Sequence, residues 1–301
     1  MTASIPDTGE TGHAGPVWIH QTAPGLHDLR GLLHRLELPD DFFDELLEHD
    51  QSPRLERSGG YLLLVLQFPW RDPGSGVASC VLRPLALLLG HQRIWSFSSV
   101  RWPFLDQADP SSRGGDARSA LVWIFEVLAA SYQATLERLR NHLLEGEARL
   151  ERTQRNEDFY GLLVTSKALT RFYVALASNI VSIFKVSRSA ALEWDEASHF
   201  ALNLAIADLQ HARDRAEISA STASSMMDAY AGMVQININH GLKVITVLAL
   251  VLYIPTLVAT IFGVNVPLLE QHSPWTARFA IGTAFLVSLL LTLHFRQRRW
   301  L

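Results

Sequence analysis

The sequence predicts an α/β N-terminal domain, a long helical stalk and two C-terminal transmembrane helices. Three observations lead there. Residues 244–269 carry no charged side chain, and residues 279–295 form a second apolar run. A helix needs about 20 mostly apolar residues to cross a bilayer core. Residues 116–262 contain one proline, Pro255, and four glycines. That stretch is rich in Ala, Leu, Glu, Arg and Gln, which form helices well. Before it, short apolar runs alternate with Gly and Pro turns, the texture of a small α/β domain.

The elements follow in order. Residues 1–15 are rich in Thr, Gly, Pro and Asp and read as a loose tail. They lack the basic start and apolar core of a signal peptide, so the body is expected in the cytosol. Residues 16–115 form the α/β domain. Residues 18–20 read as a strand and 26–35 as a helix. Pro39 opens another helix, with Asp40, Asp41 and Asp44 near its positive end. The run YLLLVLQF (61–68), between a Gly pair and Pro69, reads as a buried strand. Residues 77–82, 85–89 and 93–98 read as three more strands, the last by its alternation (RIWSFS). Residues 116–241 are the helical stalk region, with helices expected over 117–152, 156–194 and 197–262. At about 1.5 Å per residue the last is about 100 Å long. It fits a stalk that enters the membrane and buries its seam against copies of itself.

Residues 242–301 are the transmembrane domain, with spans near 242–262 and 279–296. The short link makes a hairpin, so both termini face one side. Arg296, Arg298 and Arg299 place that side in the cytosol by the positive-inside rule, and Lys243 agrees. Trp275 and Trp300 sit where interfacial aromatics belong. Pro255 lies inside the first span. In a membrane the carbonyl it frees is satisfied by neighbours, and a mild kink is expected.

Composition excludes other classes. A formal net charge of −4 in 301 residues gives no basis for nucleic-acid binding, which needs a basic surface. The single cysteine, Cys80, rules out an intramolecular disulfide or a multi-cysteine zinc site, and it reads as a small buried hydrophobe. Glycine-rich phosphate loops and nucleophile elbows are not evident, so no enzyme and no catalytic residue is predicted. Glu145, Glu147, Glu151, Glu157 and Asp158 read as a solvated helix face.

One pattern carries chemistry. Asp228, Gln235, Leu242, Ala249 and Thr256 are spaced by seven, as are Gly232, Asn239, Thr246, Tyr253 and Thr260. Together they form one a/d-like stripe along the long helix. It serves either close helix packing, which small residues allow, or a pore lined by rings from several subunits.

These residues carry a family likeness. PTLVATIFGVN (255–265) resembles the end of the first membrane helix in the CorA family of divalent-cation transporters, whose Gly-Met-Asn hallmark stands here as Gly263-Val264-Asn265. Asp228-x-Tyr230, Asn239, Lys243 and Thr246 are similar to that family's stalk-to-membrane stretch, and RQRRWL to its ending. LPDDFFDELLEHDQSPRLERSGGYLLLVLQFP (38–69) and GHQRIWSFSS (90–99) resemble its cytosolic segments.

The resemblance implies a funnel-shaped homopentamer in the inner cell membrane, multi-pass, with both termini cytoplasmic. It implies a selectivity loop of Gly263, Val264 and Asn265, with the Asn265 amide oxygens accepting hydrogen bonds from a hydrated ion. It implies a pore lined by Asn239, Leu242, Ile245, Thr246, Ala249, Tyr253, Thr256 and Thr260. Leu242, Ile245 and Ala249 can form an apolar constriction that closes by dewetting. Asp228 looks like one acid of a regulatory metal sensor. The implied substrate is Mg²⁺, with Co²⁺ or Ni²⁺ beside it, and Mg²⁺ is also the implied regulator.

Three departures bear on the ion. Val264 replaces the usual Met, as in the ZntB-like branch, which implies as an alternative a Zn²⁺ transporter, with or without proton coupling. Val266-Pro267-Leu268-Leu269-Glu270 lacks the family's acidic loop, and Tyr253 stands where a Met often lines the pore. The twelve histidines permit zinc but are scattered, and only His240 lies beside the stripe. A reading from another class is a non-transporting membrane-anchored sensor or scaffold, which needs neither a polar mouth nor a continuous stripe.

Overall fold

The structure, a computed structural model, describes residues 18–22, 31–32, 34–39, 51–71, 80–90, 93–106, 116–153, 156–189, 192–263 and 274–298. The chain divides into two compact units, Met1–Met226 and Met227–Leu301. The first holds β1 (Trp18–Thr22), β2 (Arg54–Ser58), β3 (Tyr61–Arg71), β4 (Cys80–Gly90) and β5 (Arg93–Ser98). It also holds a short helix α1 (Pro103–Asp106) and the long helices α2 (Ala117–Thr153) and α3 (Asn156–Ser187). Helix α4 (Glu196–Gly263) is one element of 68 residues whose first part belongs to this unit.

The sheet order is β1-β5-β4-β3-β2. β1 runs parallel to β5, and the other pairs are antiparallel. β3 is apolar without alternation because both its faces are covered. Leu63 and Val65 join Ala86, Leu88, Trp95 and Phe97 in a core with Leu32 and Leu38. Leu64, Leu66 and Phe68 are also buried, and α2 and α3 pack on β3.

β2 was not expected as a strand. Its residues, RLERS, are charged and only partly buried, as suits an edge. The signal for it was the glycine pair. Gly59 and Gly60 both have positive φ (54° and 86°), the geometry of a two-residue hairpin turn.

Residues 77–82 and 85–89 were expected as two strands split at Pro84. Instead β4 runs unbroken from Cys80 through Pro84. The reason lies in the ladder. The Gln67 backbone N–H donates to Asn179 Oδ1 (3.0 Å) and its carbonyl accepts from Asn179 Nδ2 (2.9 Å). Both groups therefore face away from β4, which makes Gln67↔Pro84 a non-hydrogen-bonded pair. The Pro84 nitrogen then faces the β5 side, where β5 has already ended at Leu85↔Ser98. Pro69 is placed the same way beyond the end of β2 at Val65. Each proline sits where no ladder donor is needed.

Asn179 of α3 thus stands in for the missing continuation of β2. It is fully buried, as is Tyr132. The Tyr132 hydroxyl also donates to the Gln67 carbonyl (3.0 Å). Burial pushes the Tyr132 phenol well above its ordinary range and keeps it a donor. The Gln67 side chain reaches the Gln51 carbonyl at 2.8 Å.

At the far end of β3 and β4, Tyr61 lies opposite Gly90. A Cβ at Gly90 would run into the Tyr61 ring, which is itself buried and packed on Trp95. Gly90→Ala is expected to destabilise the unit by about 1–3 kcal/mol through overpacking. A urea midpoint of the full-length protein in detergent equal to that of the wild type would refute this.

Two of the long helices, α2 and α4, begin on acids. Asp116 accepts from Arg118 N (3.4 Å) and Asp195 from Ser198 N (3.5 Å), satisfying open amides at the starts of α2 and α4. Helix α3 was expected to reach residue 194 and stops at Ser187. Residues 188–194 are good helix formers, so propensity alone ran on. Instead, two tight bonds, Ser189 N to Val186 O and Leu192 N to Ser189 O, follow the helix before the Asp195 cap. Glu145 and Asp158 both pair with Arg149, at 3.8 and 3.3 Å. Cys80 is partly buried, and burial raises its thiol pKa against the pull of Arg138 and Arg71. The expected helix after Pro39, the start of the 26–35 helix and residues 77–79 lie outside the described residues; 31–32 and 34–35 are helical.

The second unit holds the rest of α4 and α5 (Pro274–Gln297). By length and composition, three described helices can cross a membrane: α2, α3 and α4. The most apolar windows of α2 and α3 are each 50% buried, whereas that of α4 is 6% buried. The first two therefore use their apolar faces inside the first unit. Helix α4 leaves its apolar surface open. In α5 the apolar stretch Ile281–Gln297 is shorter.

Candidate functional site

The second unit is organised by one helix-to-helix contact. On α4, Val247 is buried and Val244, Val251, Ile254 and Val258 are partly buried. Their spacing of three and four residues makes one face of the helix. On α5, Ala284 and Ser288 are buried, and Leu291, Thr292 and Phe295 partly so, again along one face. The Ser288 hydroxyl donates to the Val251 carbonyl at 3.3 Å, tying the two faces together.

The predicted stripe lies elsewhere on α4. Asp228, Asn239, Leu242, Ile245, Thr246, Ala249, Tyr253, Thr256 and Thr260 are all exposed. Leu242, Ile245 and Tyr253 keep 56%, 64% and 61% of their surfaces open. At about 100° per residue the stripe is centred roughly opposite the face that packs on α5. The chain therefore gives these residues a common side and leaves it uncovered. Leaving large apolar side chains such as Leu242 and Ile245 in water forfeits about 1.5–3 kcal/mol each relative to burial.

The polar members have a shared chemistry. Thr246 donates to Leu242 O (2.7 Å), Thr256 to Leu252 O (2.9 Å) and Thr260 to Thr256 O (2.8 Å). Each hydroxyl proton is directed back to the helix one turn earlier. What remains is the oxygen as an acceptor, which suits the outward-pointing hydrogens of water around a cation. At the other end of the stripe, Gln235 Nε2 donates to Asn239 Oδ1 at 3.2 Å.

Gly263 is the last residue of α4. Val264 and Asn265 lie outside the described residues. His240 and Asp228 are exposed on α4. Among the described residues no group of three or more His, Cys, Asp or Glu side chains comes together to hold a metal. Asp228 therefore belongs to no such group.

Sequence reasoning expected the carbonyl freed by Pro255 to find a donor but did not name it. The donor is Ser288. The signal available was a proline inside an apolar helix together with a hydroxyl midway along the next one.

Comparison with known proteins gives a consistent result. Residues 13–297 match the family model described as CorA-like Mg2+ transporter protein. The chain is 24% identical over 193 residues to the magnesium transport protein CorA of Helicobacter pylori (strain J99 / ATCC 700824), covering 62% of this chain and 59% of that protein. It thus spans about three fifths of the length of this curated relative. The complete CorA magnesium transporter of Methanocaldococcus jannaschii shares the fold with a TM-score of 0.82 at 17% identity, over 98% of this chain and 95% of that one. The ZntB cytoplasmic domain of Vibrio parahaemolyticus RIMD 2210633 has a TM-score of 0.61 at 15% identity, over 76% of this chain and 92% of that one. At these identities the two structural matches speak to fold alone.

Proposed function

Because the chain belongs to the CorA-like Mg2+ transporter family, a family of transporters and not of enzymes, we propose that it carries divalent cations across the inner cell membrane. The substrate is Mg²⁺, with Co²⁺ and Ni²⁺ as further candidates. The observation that carries this reading is the uncovered stripe on α4 opposite the α5 contact. Five copies of α4 with their stripes turned inward make a homopentamer around one pore, and α5 is the outer brace. The open apolar side chains of α5, among them Phe279, Ile281, Phe285 and Leu289, suit a lipid surface. Both termini then face the cytoplasm, with Arg296 and Arg298 at the membrane edge.

The chemistry follows from the ion. Mg²⁺ is small, prefers octahedral oxygen coordination and sheds water reluctantly. The Gly263-Val264-Asn265 loop offers neutral amide oxygens that hold the hydrated ion without binding it too tightly to leave. The threonine acceptors of Thr246, Thr256 and Thr260 continue that path. Leu242, Ile245 and Ala249 form the constriction, which opens when it wets and closes when it dries.

The test is flux into proteoliposomes, comparing Mg²⁺, Co²⁺, Ni²⁺ and Zn²⁺ with and without a pH gradient. Mg²⁺ flux independent of the gradient is expected. The second reading, a ZntB-like Zn²⁺ transporter, is favoured by Val264 in place of Met. It is selected if Zn²⁺ moves, Mg²⁺ does not, and the gradient drives uptake. A scaffold moves no ion at all.

Asp228 is assigned to regulation by cytosolic Mg²⁺. Asp228→Ala is expected to raise the internal Mg²⁺ needed for half-closure by about tenfold, equivalent to ~1.4 kcal/mol of binding. Unchanged inhibition by internal Mg²⁺ would remove Asp228 from the sensor.

A further inference from the structure

Five threonine hydroxyls among the described residues of the second unit behave alike. Thr246, Thr256, Thr260, Thr283 and Thr292 each donate to the carbonyl four residues earlier in their own helix. Ser288 does not. Its hydroxyl crosses to the other helix and donates to Val251 O. That carbonyl is four residues before Pro255, the proline inside α4. A proline has no N–H, so Val251 O is the one carbonyl of this stretch that its own helix leaves without its usual donor. The residue that departs from the local habit thus meets the backbone group that lacks its local partner.

The surroundings fit. Ser288 keeps only 8% of its surface exposed, beside Val247 at 1% and Ala284 at 5%. In such a dry contact an unpaired carbonyl is costly. Alanine at 284 and the small Ser288 allow the close approach that a hydroxyl-to-backbone bond needs.

We infer that Ser288 is a positioning residue for the pore-facing helix. It caps the carbonyl that Pro255 frees and so holds α4 and α5 in one register at that level. Thr256 follows the proline directly, and Tyr253 lies two residues before it, both on the opposite face. The register set at Val251 therefore sets how far these two side chains project. The functional part of this inference rests on the pore reading above; the hydrogen bond itself does not.

A double-mutant cycle on the full-length protein in lipid nanodiscs and proteoliposomes tests it. In the wild-type background Ser288→Ala is expected to lower the melting midpoint by roughly 2–4 °C. It is also expected to lower Mg²⁺ flux at saturating ion by about threefold, the scale of one interhelical hydrogen bond. Ser288→Thr should restore both, whereas Ser288→Val, of the same shape without the hydroxyl, should not. In Pro255→Ala, the backbone N–H gained at that position supplies Val251 O. Adding Ser288→Ala there should then cost nothing further. Equal losses in the two backgrounds, or Val matching Thr at 288, overturn the inference. If the wild type carries no Mg²⁺, the transport reading fails, and the melting midpoints still decide the role of Ser288.

Discussion

Asn265→Ala is expected to abolish divalent-cation uptake, lowering Mg²⁺ flux by about 100-fold or more, while the oligomer stays intact. The argument is one of charge and solvation. A hydrated Mg²⁺ keeps its inner waters, and those waters are strong donors because the ion polarises them. An amide oxygen accepting from such a water makes a charge-assisted bond, stronger than a neutral one. Losing ~2.7 kcal/mol of stabilisation along the path corresponds to 100-fold in rate, and the ring of five acceptors in the proposed pentamer would supply more than that. Asn265→Asp should separate binding from passage. Carboxylates bind the ion more firmly and release it more slowly, so half-saturation should fall together with maximal flux. Ordinary Mg²⁺ and Zn²⁺ flux through an intact Asn265→Ala oligomer would sink the assignment of the mouth.

Asn179→Leu is expected to cost about 2–4 kcal/mol in the first unit, because it strips partners from two buried backbone groups at once. The Gln67 N–H and carbonyl both lean on the Asn179 amide. The carbonyl keeps Tyr132 as a donor, so the orphaned N–H carries most of the penalty. In a unit of this size the melting midpoint should drop by about 5–10 °C. The control is Gln67→Leu. Asn179 holds the backbone of Gln67 and not its side chain, so that change loses only the bond to the Gln51 carbonyl. It should cost less than half as much. Thermal unfolding of the two full-length variants by circular dichroism checks the pair, and a Gln67→Leu loss as large as that of Asn179→Leu would refute the backbone role.

Much of the architecture was legible because burial writes itself into composition. The two-sided apolar run of β3 and the proline-free length of α4 before Pro255 are such signatures. The edge strand β2 was not legible, since its residues face water as often as protein, and only Gly59-Gly60 marked it. Pro84 misled for a related reason. A proline reads as a break unless one knows where the neighbouring strand stops, and that is a property of the sheet. The end of α3 depended on the tight bonds at Ser189 and Leu192 ahead of the Asp195 cap, which propensity cannot see. The stripe on α4 was legible by its seven-residue spacing, and its exposure came from the choice of the other face for packing on α5. Ser288 escaped notice because a lone serine in an apolar helix carries no periodic signal.

The threonines of α4 have one more consequence. A file of water passes a proton along by letting each member give one away while taking another. Thr246, Thr256 and Thr260 have already turned theirs back to the helix. To join such a relay each must first break a bond of 2.7–2.9 Å. In the pore proposed above, these three hydroxyls therefore enter a relay as acceptors only, and a proton passing along this face is handed from water to water.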